Sequence, residues 1–345
     1  MSGRAVATTL TVVVPCYNSA GYMRRCVDSL LAGGGPEVEI LIVDDGSHDA
    51  TLEIADEYEE RFPGRVRAVH KDNGGHGSTI NVGLELARGR YFKVVDSDDW
   101  VDVAAFAELV STLNRFGTEA ADVDMVLSNF VYEKEGRGTK RAVRYRGALP
   151  RGQVFGWDQV GRLRKTQYFL MHSIVYRTQL LREVGLLLPE HTFYVDNIFA
   201  YMPLPAVRRM YYLDVDLYRY YIGRAGQSVA EQVMISRLDQ QLRVNRMMME
   251  HVARTVPPGH PAYRYMTHYL EIVCAVSSTL LLRSGTDAAL AAKEALWRGI
   301  REEDELLHRR LRRSALGQIT NLPGRHGRRV TLAAYRAAQW RVGFN

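Results

Sequence analysis

Four apolar, β-branched runs, each leading into a cluster of carboxylates, glycines or small polar residues, fall within the first hundred residues of this 345-residue chain. "TLTVVVP", "EVEILIVDD", "GRVRAVH" and "YFKVVDSDD" have the near-continuous apolar character of strands buried on both faces. Between them, "YMRRCVDSLL", "SHDATLEIADEYEERF" and "STINVGLELA" read as helices. The second carries Leu52, Ala55, Tyr58 and Phe62 at helical spacing, and Ser19 stands where the N-cap of the first belongs. Short connections and regular alternation predict a doubly wound, mainly parallel α/β sheet. Ligands bind such sheets outside the carboxyl ends of the strands, where this chain puts residues 15–18, 44–47, 73–78 and 96–100.

Beyond this half the pattern loosens. From Asp122 to about Tyr221, "DMVLSNFVYE", "RAVRYRG", "HSIVYR" and "RMYYLD" predict mixed strands that complete the sheet. From Glu231 onward the patterns are helical, with an apolar run "IVCAVSSTLLL" too short for the roughly 20 residues that span a bilayer and expected to form a buried helix. No secretory signal is visible at the start. Cys16, Cys26 and Cys274 form no pairing motif, so a reducing, cytoplasmic setting is expected. A net charge of +6 favours anionic partners without choosing among them.

The polar clusters carry the chemistry. Asp44 and Asp45 arrive together at a strand end before Gly46. Helix capping accounts for Ser47 and Asp49, whereas an aspartate there could also accept the protons of a nucleotide base. "NGGHGSTIN" places Gly75 and His76 before a helix, in a turn that is either only a turn or a contact for a diphosphate. It matches neither the dinucleotide nor the Walker spacing. Asp96, Asp98 and Asp99 repel one another, and a hard divalent ion, Mn²⁺ or Mg²⁺, would compensate them. Capping of the helix near Val103 would account for one of the three.

Taken in order, "VVVPCYN", "VDDGSHD", "NGGHGSTINVG" and "VDSDDW" resemble the nucleotide-binding half of family 2 inverting glycosyltransferases, strongly over Thr9 to Trp100 and weakly to about Val229. The resemblance implies a GT-A fold over residues 1–230, with a nucleotide-sugar half at about 9–100 and an acceptor half at about 101–230, followed by a helical C-terminal subdomain at 231–345. Pro15, Tyr17 and Asn18 would border the base, Asp45 would bond it, and Asp96, Ser97 and Asp98 would form the Asp-x-Asp, with Asp98 closest to the metal and Asp99 beside it. Gly75, His76 and Asn81 would contact the donor, although Ile80 stands where many relatives carry arginine, and Arg224 in "YRYYIGRAGQSV" would clamp the pyrophosphate. Relatives start a helix with an acidic pair about a hundred residues beyond the Asp-x-Asp. "HTFYVDNIFAYMP" keeps only its second member, so Asp196 is the expected base, with helix capping as its alternative and Glu190 in reserve.

The implied reaction moves a sugar from a nucleoside-diphosphate sugar, most often UDP-linked, to a hydroxyl of a glycan, glycolipid or cell-envelope acceptor, with no role for nucleic acid. A nucleotidyltransferase would show a Gly-x-Gly-x-Arg loop where this chain has "PCYNS"; a non-catalytic nucleotide-sugar binding module would fit if Asp196 only caps. Trp100, Phe193 and Tyr194 are candidates to stack on sugar rings. In "RHGRRVTLAAYRAAQWRVGFN", Val330, Ala334, Ala337, Trp340 and Phe344 form a stripe ringed by arginines, expected to dock on the protein's own helices or else to give peripheral contact with the inner membrane face.

Overall fold

A computed structural model describes residues 7–118, 122–134, 140–223, 227 and 230–342. The chain divides after Tyr221 into two compact units. The first follows the expected alternation: β1 (Leu10–Cys16), α1 (Met23–Gly33), β2 (Val38–Asp44), α2 (Thr51–Arg61), β3 (Val66–His70), α3 (His76–Leu86), β4 (Tyr91–Val94), β5 (Trp100–Val101) and α4 (Val103–Thr118). It continues with β6 (Met125–Lys134), β7 (Lys140–Val143), β8 (Val154–Phe155), β9 (Ile174–Arg177), α5 (Thr178–Glu183), α6 (Asp196–Tyr201) and β10 (Met210–Ile222).

The sheet order is β3-β2-β1-β4-β9-β6-β10-β5, with β7 on β6 and β8 on β10. Pairing among β1, β2, β3 and β4 is parallel. The strands after them pair antiparallel: β9 with β4 and β6, β7 with β6, and both β5 and β8 with β10. β1 and β2 are buried along their whole length, which their unbroken apolar runs demand. Because β1, β2 and β4 run the same way, their carboxyl ends deliver residues 15–18, 44–47 and 96–100 to one edge.

Ser19 does not cap α1. The helix begins at Met23 behind Tyr22, and the Ser19 carbonyl instead accepts from the Tyr22 and Met23 amides at 3.0 Å each. Its amide donates to Thr51 Oγ1 at 2.7 Å, and its hydroxyl lies 2.8 Å from that of Ser97. Ser19 therefore ties three strand-end loops together.

The second unit is helical: α7 (Glu231–Ser236), α8 (Leu238–Thr255), α9 (Tyr263–Ser284), α10 (Asp287–Glu303), α11 (Glu305–Arg313), α12 (Ala315–Thr320) and α13 (Gly324–Val342). α9 is long and apolar enough to cross a membrane by length and composition, yet 89% of that window is buried within the protein. The serines that interrupt its apolar run explain themselves there. Ser277 accepts from Asn245 of α8 at 2.7 Å and Ser278 from the Trp297 indole of α10 at 3.0 Å, so a core helix is fastened to two neighbours by satisfied buried polar groups.

Candidate active site

The strand ends place four groups of side chains on the sheet edge. At the end of β2, the buried Asp45 carboxylate is saturated. Oδ1 accepts from Lys71 Nζ at 2.8 Å and the Gly74 amide at 2.9 Å, and Oδ2 accepts from the Gly75 amide at 2.7 Å and Asn73 Nδ2 at 3.1 Å. A carboxylate offers about four lone-pair positions, so none is left for the protons of a base. Both groups that the resemblance assigns to the donor are thus engaged within the chain. Asp45 fastens the glycine turn, and the Gly75 amide that would meet a diphosphate is already held by a carboxylate of the chain itself. Gly46 permits the approach, since its φ is +71° and a Cβ would sit 3.1 Å from the Asn73 nitrogen.

Asn18 is left-handed at φ 49° and joins the first two loops: its amide donates to Ser47 Oγ and its Oδ1 accepts from the His48 amide, both at 2.9 Å. Pro15 is buried inside β1, whereas Tyr17, two residues on, is 50% exposed and open to a ligand. Ser97 is buried against Ser19.

The three aspartates part company. Capping of α4 falls to Asp102, whose Oδ1 accepts from the Ala105 amide at 3.1 Å, so capping accounts for none of them. Asp99 is buried, with Oδ2 accepting from Tyr218 Oη at 2.6 Å and Oδ1 from the Tyr221 amide at 2.7 Å. Burial and the neighbouring Asp98 and Asp96 charges push its carboxyl well up. Asp96 Oδ1 meets His76 Nε2 at 2.8 Å. Burial works to raise the Asp96 carboxyl, but His76, His172 and Lys93 outweigh it and hold it low. The same balance runs in reverse at His76, where Asp96, Asp196 and Asp98 overcome burial and raise the imidazole.

Two residues that sequence reasoning missed complete this patch. Lys93, fully buried on β4, donates to the His172 carbonyl at 2.8 Å, and burial pushes its ammonium down to about 7. His172, 4% exposed, lies with its ring centroid 4.5 Å from those of both Tyr218 and Tyr220, and burial brings its imidazole down to about 4. Among the described residues, Asp96, Asp99 and His172 have ligand atoms within 4.8 Å of one another, a trio that differs from the expected pairing of Asp98 with Asp99. Tyr218 and Tyr220, two apart on β10, were readable as one face of a strand. His172 offered no such signal.

Asp196 opens α6 without capping it. The residue before the helix is Val195, and no side-chain cap bond is made. Burial raises the Asp196 carboxyl to about 6, with His76 pulling it down and Asp96 pushing it up, so Asp196 shares one electrostatic neighbourhood with both. The preceding loop is bolted to the glycine turn. The Asn81 side chain exchanges two 2.9 Å bonds with the Leu188 backbone, and the His191 amide donates to the Gly74 carbonyl at 2.7 Å. A Cβ on Gly77 would sit 2.7 Å from the Pro189 oxygen. Asn81, expected to touch the donor, therefore has both ends of its amide engaged in holding the loop that carries Asp196. Tyr194, at φ 66°, turns the chain immediately before the helix, a conformation costly for a bulky residue and concentrated at functional sites. Glu190 is exposed. Phe193 is 38% exposed, and the Arg25 guanidinium covers the Trp100 ring at 3.1 Å. Arg224 lies outside the described residues.

Residues 11–179 match the glycosyl transferase family 2 model. The chain carries a family 2 glycosyltransferase domain. It is 30% identical over 213 residues to the uncharacterized glycosyltransferase EpsJ of Bacillus subtilis, covering 61% of this chain and 60% of EpsJ. It is 26% identical over 223 residues to the Staphylococcus aureus poly(ribitol-phosphate) β-N-acetylglucosaminyltransferase TarS, covering 64% of this chain and 36% of TarS. The chain thus spans less than two thirds of the length of these curated relatives. In structure it resembles residues 1–349 of TarS in complex with UDP-GlcNAc, with a TM-score of 0.53, 22% identity, and coverage of 86% of this chain and 92% of the other. The mannosyltransferase PcManGT of Pyrobaculum calidifontis, in complex with GDP-Man and Mn²⁺, gives a TM-score of 0.50 at 16% identity, over 96% and 87%. Both likenesses speak for the GT-A fold.

Proposed function

We propose that the protein is a metal-dependent inverting glycosyltransferase that moves a sugar from a UDP-linked donor to a hydroxyl of a glycan or lipid-linked cell-envelope acceptor. The observation that carries the reading is the meeting of Asp96, His76 and Asp196 in one half-buried electrostatic neighbourhood beside the strand ends of a family 2 domain. The UDP assignment leans on TarS, which binds UDP-GlcNAc.

Asp196 takes the acceptor hydroxyl proton as that oxygen attacks the anomeric carbon, and the bond from that carbon to the diphosphate oxygen breaks with release of UDP. A carboxyl raised to about 6 is ionised at neutral pH yet more basic than an ordinary aspartate, which suits a general base. His76, bonded to Asp96 and with its imidazole raised by the surrounding aspartates, orients that carboxylate. The carboxylates of Asp96 and Asp99 fit a divalent cation, being close together, partly desolvated and of hard oxygen character. When bound, the ion supplies positive charge for the departing diphosphate.

Incubation with UDP-GlcNAc and Mn²⁺ should release UDP. Release of pyrophosphate would instead mark a nucleotidyltransferase, and failure of UDP and GDP to bind by calorimetry, with or without Mn²⁺, would overturn the reading.

The acceptor side bears on location. On α13, Val330 is 54% exposed and Ala334 and Ala337 face solvent beside exposed Arg325, Arg328, Arg329 and Arg336. The expected docking of this stripe on the protein's own helices is not found over these positions; Gly327 and Thr331 make the buried side instead. The side chain of Trp340, and Phe344, lie outside the described part. An apolar stripe flanked by arginines complements an anionic leaflet, and we infer a cytoplasmic enzyme held peripherally at the inner membrane face.

A further inference from the structure

We propose that Lys293, Arg312 and Arg328 form a site for a phosphate group in the helical unit, outside the residues that match the family 2 model. Its ligand is separate from the donor and acceptor of the transferase reading.

The three cations come from three helices, and the joint between α12 and α13 draws them together. Lys293 of α10 donates to Asn321 Oδ1 at 2.8 Å, and Asn321 Nδ2 donates in turn to the Gly317 carbonyl at 2.9 Å. The same carbonyl accepts from Arg312 Nη1 of α11 at 3.2 Å, so Asn321 and Gly317 tie Lys293 and Arg312 to one spot. Trp297, one turn beyond Lys293 on α10, steadies Arg312, whose guanidinium carbon lies 5.7 Å from the ring centroid. Arg328 enters from α13, which Thr331 fastens to α12 by donating to the Ile319 carbonyl at 2.6 Å. A Cβ at Gly327 would sit 2.6 Å from the Leu322 carbonyl carbon, so only glycine lets α13 close on that turn and bring Arg328 into the field of Lys293.

This joint is short of negative charge. Among the described residues, the ion pairs of the helical unit are those of Arg254, Arg283 and Arg309, and none involves the trio. Burial, Arg312 and Arg328 together bring the Lys293 ammonium down to about 8, with exposed Glu294 working the other way. Arg325 adds a further cation in the first turn of α13, which has no acidic residue although the helix dipole favours an anion there. The donors for such an anion are in place. Lys293 spends one of an ammonium's three protons on Asn321, Arg312 spends one of a guanidinium's five on Gly317, and exposed Arg328 spends none among the described residues. Guanidinium forks match phosphate oxygens bidentately, and a phosphate dianion balances more of the excess charge than a single carboxylate does. The phosphate is either a soluble ester or a lipid headgroup, and the cradle chemistry is the same for both.

The test is calorimetric titration of inorganic phosphate into the full chain, in EDTA and about 0.15 M chloride, which screens a diffuse charged patch. Phosphate should bind saturably at a single site. Arg328→Gln, at an exposed position with no bond to lose, and Lys293→Gln should each weaken binding by about tenfold or more, the scale of one charge-assisted hydrogen bond. Arg298→Gln, at an exposed arginine of α10 outside the trio, should leave binding unchanged. The bound phosphate is then displaced with glycerol 3-phosphate or with phosphatidylcholine vesicles containing phosphatidic acid. Displacement by the vesicles alone, at equal phosphate concentration, marks a headgroup site, and displacement by both alike marks a site for soluble phosphate. Absence of saturable binding, binding that survives both substitutions, or an equal loss with Arg298→Gln overturns the site. Each of these leaves the transferase reading standing, since UDP release does not pass through these residues.

Discussion

Replacing Asp196 with asparagine should push activity and stability in opposite directions. In the fold the carboxyl is raised from its ordinary 3.8 to about 6, chiefly by burial, with Asp96 adding to it against the pull of His76. A difference of that size corresponds to roughly 3 kcal/mol against the ionised form. The folded carboxyl holds its proton to a higher pH than the unfolded one, so this cost is absent below pH 3.8 and complete above about pH 6. Asparagine keeps the shape and the acceptor that Asn197 Nδ2 approaches at 3.3 Å, but never ionises. At pH 8, Asp196→Asn should therefore be more stable to urea by about 1–3 kcal/mol, the lower end allowing for solvent relaxation around a side chain that is not fully enclosed. The gain should shrink at pH 5. Transfer should fall by about 10²–10⁴-fold, the usual contribution of a general base, and kcat/KM of the unaltered enzyme should rise with pH through about 6. Sugar transfer is read as UDP release in the presence of acceptor, and stability as the urea midpoint in EDTA. Transfer within tenfold of the unaltered enzyme would refute the base assignment. A variant less stable at pH 8 would refute the claim that the ionised carboxylate is held against its own preference.

Gly77→Ala gains helix propensity but places a Cβ 2.7 Å from the Pro189 oxygen and 3.1 Å from Leu188 Cβ, in the loop that carries Asp196. It should lose about 1–3 kcal/mol by overpacking and lower kcat more than it raises KM; a stabilised variant with unchanged kcat would show that this contact does not position the base. The full chain should float with phosphatidylglycerol vesicles and not with phosphatidylcholine alone, and Val330→Asp should abolish flotation. Indifference to lipid charge would remove the membrane role of α13.

The sheet edge was readable because a strand buried on both faces has a distinctive composition and parallel strands must end together. Asp96 and Asp45 could thus be assigned to one edge without knowing any contact. What those residues touch was not readable, since each partner lies on another element. Asp45 is claimed by the glycine turn and Asp99 by β10. His172 reaches the site only because β9 pairs antiparallel with β4. The crowding of acids suggested that an ion must compensate them, yet the fold supplies His76 and Lys93 close by. Charge balance alone therefore does not require a metal. The stronger argument is local: a buried imidazole nitrogen with no partner faces a carboxylate at 3.9 Å, and both are held in place by aromatic rings and backbone bonds that a merely neutral core would not need.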